Sequence, residues 1–168
     1  GHEVDLGEII DPLTEFVLAD RKRRLLLIGH FDLTYLPKEL EQQIETVKFL
    51  DYGRYLSALA SANCTVMPLC DDTFNRCKSA VRVLDAASVA VPSIVANVGD
   101  LSTVIQSGET GLVAGNRADW MDALRDLAAN PISTSAMGRA ARSNLEERWQ
   151  ASDRPYIFAP ELIEWVEA

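Results

Sequence analysis

The chain has 168 residues, enough for one hydrophobic core and short for two, so it reads as a single domain. Apolar residues make up 48% and charged residues 24%, the composition of a folded globular protein rather than a disordered one. A net charge of −9 excludes the basic footprint that nucleic acid or anionic lipid requires, and no apolar run nears the roughly 20 residues that cross a bilayer.

In chain order, apolar periodicity predicts a first helix over residues 6–20, then a continuous apolar strand over 25–28 that stops at Gly29. The basic run Arg21-Lys22-Arg23-Arg24 falls between them and reads as a solvated helix end that complements the dipole. Residues 47–50 form a second strand. Tyr55, Leu56, Leu59 and Ala60 lay an apolar stripe along a helix over 52–62, and a third strand over 64–67 is stopped by Pro68. A helix over 76–89, a strand over 93–96, a short helix over 101–106 and a small strand at 112–113 follow. Two helices close the pattern: 118–129, whose Trp120, Ala123, Leu124 and Leu127 form a core stripe and which ends at Asn130-Pro131, and 134–149. A tail over 150–168 carries Pro155 and Pro160 and a last helical turn or two over 161–166. The alternation of helices with short β-rich runs predicts an α/β fold with a mainly parallel sheet wrapped by helices. Cys64, Cys70 and Cys77 make no C-x-x-C pair and an odd count, which fits free thiols in a reducing cytoplasm.

An open α/β sheet binds ligands beyond the carboxyl ends of its strands, which aligns the loops after Ile28, Leu50, Met67 and Ala96 on one rim. On the predicted 76–89 helix, Cys77, Ala80, Val81, Leu84 and Ala87 face the sheet, while Lys78, Arg82 and Asp85 share another stripe. Asn75 is placed as N-cap, so the free N–H groups of the first turn make an anion site. Lys78 puts a cation at the positive end of the helix dipole, a mismatch that an anionic ligand such as a diphosphate would balance, and Ser79 adds a hydrogen-bond donor. Asp85 lies seven residues on, about 10 Å farther along the axis, far enough to accept both ribose hydroxyls. A surface ion pair with Arg82 is the alternative use of that carboxylate. Gly29 and Gly99 allow backbone to approach a nucleotide closely.

The stretch from Asn75 to Val113 presents, in order, Asn75-x-x-Lys78-Ser79, Asp85-Ala-Ala-x-x-Ala90-x-Pro92, a strand, the turn Gly99-Asp100, and Gly108-x-x-Gly111-Leu112-Val113. This order and spacing resembles the C-terminal, donor-binding half of retaining GT-B glycosyltransferases of the group 1 family. The resemblance covers about Leu25 to Trp149, and the subgroup with Asn-x-x-Lys-Ser before the acidic position is bacterial. It implies a Rossmann-like three-layer α/β/α fold and a nucleotide-diphosphate sugar as substrate, with no cofactor and no metal. The implied donor-binding residues are Gly29, Asn75, Lys78, Ser79, Asp85, Gly99 and Asp100, with no catalytic residue assigned. The expected reaction is transfer of a hexose to a glycan or cell-surface polysaccharide acceptor. The implied partner is an N-terminal acceptor-binding half, so the chain is expected to be a piece of a longer two-domain enzyme, inactive alone. The expected location is cytoplasmic, with a parent protein free to sit at the inner face of the membrane.

Three positions depart from the family pattern: Cys77 stands where an acidic residue is usual, Ala90 where glycine is, and Thr103 where a second acidic residue is. They motivate an alternative, a degenerate glycosyltransferase-like domain that binds without catalysis. His2 and Asp5 match the end of a His-x-x-Asp loop that precedes the first helix in relatives, although His2 reads equally as a cloning remnant. Asp71-Asp72 after the third strand suits turn and capping duty better than a metal pair, since no His or Cys stands at ligand spacing. The same aspartates resemble a phosphorelay receiver, but the acidic pair after a first strand is missing. His30 follows Gly29 on the rim, and two histidines in all support no Ser-His-Asp arrangement.

Overall fold

A computed structural model describes residues 3–149 and 164–166. Its strands are β1 (Leu25–Ile28), β2 (Ile44–Val47), β3 (Thr65–Met67), β4 (Ser93–Ala96) and β5 (Gly111–Ala114). Its helices are α1 (Glu3–Gly7), α2 (Ile10–Leu18), α3 (Tyr52–Ala60), α4 (Thr73–Arg76), α5 (Val81–Ser88), α6 (Arg117–Ala129) and α7 (Pro131–Arg148). All strand pairing is parallel, with Leu25 opposite Ile44, Thr65 opposite Ser93 and Ser93 opposite Gly111. The ladders form two sheets, β1-β2 and β3-β4-β5, rather than the one expected. Apolar patterning marks strands but carries no information on which edges pair.

Both faces of β4 are covered, so its four residues are all buried and read as an unbroken apolar run apart from Ser93. Ile94 and Ala96 pack with Ile9, Leu13, Trp120 and Leu124 in one cluster, which also takes in Leu25 of β1 and so bridges the two sheets. Val95 points the other way, into a cluster with Ala80, Val83, Leu101 and Ile105. α2 packs on α6 in the first layer, and α7 packs on α5 in the second. The strands thus lie between two helical layers, an α/β/α arrangement. Ile94 and Val95 are wholly buried, each contributing about 1.5–3 kcal/mol of transfer free energy.

Several boundaries differ from the sequence expectation. The 6–20 helix is two helices, because Pro12 has no N–H and its ring would strike the Glu8 carbonyl within a continuous helix. Restarting at Ile10 puts Pro12 in the first turn of α2, where its missing donor costs nothing. The second strand is Ile44–Val47, three residues earlier than expected, and Phe49 is 83% exposed on the rim. The expected helix over 101–106 is only a 3-10 turn at Gly99–Leu101. Two further 3-10 turns, Leu33–Tyr35 and Lys38–Gln43, carry the crossover from β1 to β2. α6 starts where Asn116 accepts hydrogen bonds from the Ala118 and Asp119 N–H groups, and α7 starts at Pro131 rather than residue 134. Residues 164–166 are helical; the rest of the expected 150–168 tail lies outside the described residues. Among the described residues no helix is long and apolar enough to cross a membrane.

Candidate functional site

Within each sheet the strands run the same way, so the loops leaving β1 and β2 share one end, as do those leaving β3 and β4; the Tyr52–Asp85 bond joins the loop after β2 to α5, which follows β3. Gly29 ends β1 at φ 108°, a left-handed conformation that glycine adopts without strain, and its N–H donates to Val47 O at 2.8 Å. Gly99 ends the β4 loop at φ 55°, and a Cβ there would stand 2.9 Å from Arg76 O. Its smallness lets the 99–101 turn close against α4. His30 is exposed on the same rim.

The connection from β3 to α5 is where sequence and structure part. The expected 76–89 helix is broken into α4 and α5 by residues 77–80. Asp72, not Asn75, caps α4 by accepting the Asn75 N–H at 2.8 Å. Asn75 is a buried residue of α4, 3% exposed, whose Nδ2 donates to Asp5 Oδ1 at 2.8 Å, Cys70 O at 3.0 Å and Asp72 Oδ2 at 3.2 Å. Its Oδ1 is buried without a protein partner. Asp5 lies in α1 rather than in a loop and also accepts from the Cys70 N–H at 3.1 Å. This carboxylate, seventy positions upstream of Asn75, organises the rim connection. Its side chain is too far away in sequence for local pattern to reveal the pairing. His2 lies outside the described residues.

Lys78 sits in the turn that enters α5, with its Nζ 3.4 Å from Asp5 Oδ2 and 5.0 Å from the centre of the Phe74 ring. Its side chain is 26% exposed, against 6% for Asp5. The ammonium thus has a fixed anion already, while keeping part of its surface on the rim. α5 begins at Val81 after Ala80 with no side chain capping it, and the Val83 N–H turns back to Ala80 O at 2.9 Å, which leaves the positive end of the helix dipole at this turn. That start borders a cleft of about 240 Å³ lined by Ser79, Ala80, Val81, Leu84, Asp100, Thr103, Val104 and Trp149. Ser79 and Asp100 are therefore brought together, with Lys78 beside them in sequence. Thr103 is exposed, and its hydroxyl donates to Asp100 O at 2.8 Å.

Asp85 is half-buried on α5 and accepts the Tyr52 hydroxyl at 2.7 Å. The bond to Asp85 raises the Tyr52 phenol above its ordinary pKa, with burial adding to it. Burial, and then the Asp85 charge, raises Tyr55 as well. Two phenols therefore face the carboxylate from α3. Sequence reasoning read Tyr55 as part of an apolar stripe and gave Tyr52 no role; the available signal was a rim tyrosine directly after the Asp51 cap.

The family model for glycosyl transferases group 1 matches residues 8–130, well over half of the chain. The chain belongs to the glycosyl transferases group 1 family. A D-inositol 3-phosphate glycosyltransferase of Paenarthrobacter aurescens (strain TC1) is 38% identical over 93 residues, covering 54% of this chain and 22% of that protein. The group 1 chain thus spans about a fifth of the length of that curated relative. Among solved structures, sucrose-phosphate synthase from Thermosynechococcus elongatus superposes with a TM-score of 0.66 at 20% identity, over 87% of this chain and 39% of that one. Anabaena Alr3699/HepE in complex with UDP-glucose superposes with a TM-score of 0.64 at 14% identity, over 88% and 42%. These likenesses establish the GT-B fold for this group 1 domain.

The three departures from the family pattern take definite forms. Cys77 is exposed in the break between α4 and α5. Ala90, which stands where the family pattern has glycine, holds a left-handed conformation at φ 57°. It closes α5 as the Ala90 N–H meets Ala87 O and the Val91 N–H meets Ala86 O.

Proposed function

We propose that the chain is the nucleotide-sugar-binding domain of a longer, two-domain, metal-independent glycosyltransferase that passes a hexose to a glycan or cell-surface polysaccharide. The observation that carries this reading is the start of α5, uncapped by any side chain, opening on a cleft lined by Ser79, the residue after Lys78. A diphosphate seated there meets the positive end of the α5 dipole, the Ser79 hydroxyl and, once shared with Asp5, the Lys78 ammonium. Preorganised donors of this kind stabilise the negative charge that grows on a departing nucleoside diphosphate. Asp85 accepts ribose hydroxyls, Asp100 accepts sugar hydroxyls across the cleft, and Asn75 holds the entering turn through Asp5. Gly29 and Gly99 keep the rim backbone low. The acceptor and the remaining part of the reaction centre belong to the other half of the parent enzyme, which works in the cytoplasm of a bacterium. UDP-glucose in the Anabaena neighbour supports the nucleotide class.

Calorimetric titration with uridine, guanosine and adenosine diphosphates tests the proposal. One of them binds, and Lys78→Met weakens it about ten-fold or more, the size expected for a charged hydrogen bond. A thermal melt of the variant separates this from unfolding. No heat from any of the three at millimolar concentration overturns the reading. That outcome supports the second one, a degenerate, non-catalytic scaffold or protein-interaction domain, for which Cys77, Ala90 and Thr103 are the observations.

A further inference from the structure

Tyr52 is the first residue of α3, a helix start fixed by the Asp51 cap, which accepts the Arg54 N–H at 3.0 Å. Its hydroxyl is held on the neighbouring helix by Asp85 at 2.7 Å. Between these two anchors the ring lies 63% exposed on the rim. Tyr55 stands behind it, with ring centres 6.1 Å apart and planes inclined by 34°. An exposed aromatic usually loses rotamer freedom when a ligand lands on it; here the helix fixes the backbone and Asp85 holds the hydroxyl, so much of that cost is already met.

A carboxylate offers about four lone-pair sites, and Tyr52 takes one on Oδ1. If ribose hydroxyls take others, as proposed above, they donate to the same group as the phenol and lie beside it. The base carried by that ribose is then within one furanose ring of the exposed tyrosine face. We infer that Tyr52 is the stacking platform for the donor's nucleobase and the residue that holds Asp85 ready for the ribose. The inference rests on the nucleotide-binding reading and adds to it a specificity-determining residue. Phosphates bind at the α5 start, the ribose at mid-helix, and the base against α3.

The experiment compares nucleoside diphosphate with inorganic pyrophosphate, which has neither ribose nor base, on the 168-residue chain and its Tyr52→Ala, Tyr52→Phe and Lys78→Met variants. Tyr52→Ala weakens the best of uridine, guanosine and adenosine diphosphates roughly ten-fold, the loss expected for one base–aromatic stack, and leaves pyrophosphate unchanged. Tyr52→Phe keeps the ring and loses only about three-fold, the share of one neutral hydrogen bond. Lys78→Met weakens both ligands. Nucleotide binding undiminished in Tyr52→Ala, with Lys78→Met still defective, overturns the inference and leaves the nucleotide site standing. Equal loss of nucleotide and pyrophosphate in Tyr52→Ala also overturns it, since a structural defect would act on both. Absence of any nucleotide binding by the unsubstituted chain removes both.

Discussion

Gly138, buried midway along α7, faces the turn that closes α5. A Cβ built on it would stand 2.0 Å from Ala90 O, 2.8 Å from Ala90 C and 3.1 Å from Pro92 Cδ. Two of these atoms are backbone, and the Ala90 carbonyl belongs to a turn pinned by hydrogen bonds of 2.9 and 3.0 Å to Ala87 and Ala86. No rotamer change can therefore relieve the contact; α7 has to move away from α5 by more than 1 Å. On an exposed helix face, glycine to alanine stabilises by about 1 kcal/mol. Overpacking against fixed backbone costs about 3 kcal/mol, at the upper end of its usual range. The sterics win, and Gly138→Ala loses about 2 kcal/mol net, a fall in Tm of roughly 4–8 °C for a domain of this size. Thermal and urea unfolding measure it, with the exposed Ser135→Ala on the same helix as a control for propensity alone. A Tm at or above that of the unsubstituted chain refutes the reasoning and means that α7 does not sit on the Ala90 turn.

Gln43 is buried and shares its two amide protons among Val17 O, Asp20 O and Arg23 O at 2.9, 3.0 and 3.0 Å, joining the end of α2 to the start of β1. Gln43→Leu keeps the volume and strips the donors, so the urea midpoint drops by the equivalent of about 2 kcal/mol with the slope unchanged; an unmoved midpoint contradicts the network. Burial pushes the Cys64 thiol up to about 11, while burial, then the Asp5 and Glu8 charges, raises Cys70. A disulfide reagent at pH 8 accordingly modifies the exposed Cys77 first and the partly buried Cys64 far more slowly. Mass mapping that finds Cys64 labelled as fast as Cys77 in the native chain shows that packing to be wrong.

Local chemistry made much of this protein legible from residues alone. The 93–96 strand is an apolar run set off by Pro92, and it was read without error because a strand buried on both faces needs no alternation. The α6 stripe and the Asn130-Pro131 stop were equally plain, since caps and proline act within one turn. The order of the Asn75-to-Val113 motifs carried the family, and with it the fold. What spacing could not carry were the contacts between distant segments. Asp5 reaches Asn75 and Lys78 across seventy and seventy-three positions, ties up the Asn75 amide while Asp72 caps the helix, and supplies the anion that the Lys78 dipole mismatch had assigned to a ligand. Tyr52 meets Asp85 across thirty-three positions, giving a residue without a role in the sequence reading a place on the rim. The second strand slid three residues because Phe49, apolar and exposed, imitates a strand residue until β1 sets the register. Periodicity records which face of a single element is dry. Pairing, capping by remote carboxylates and the separation into two sheets depend on which elements become neighbours, and only the folded chain decides that.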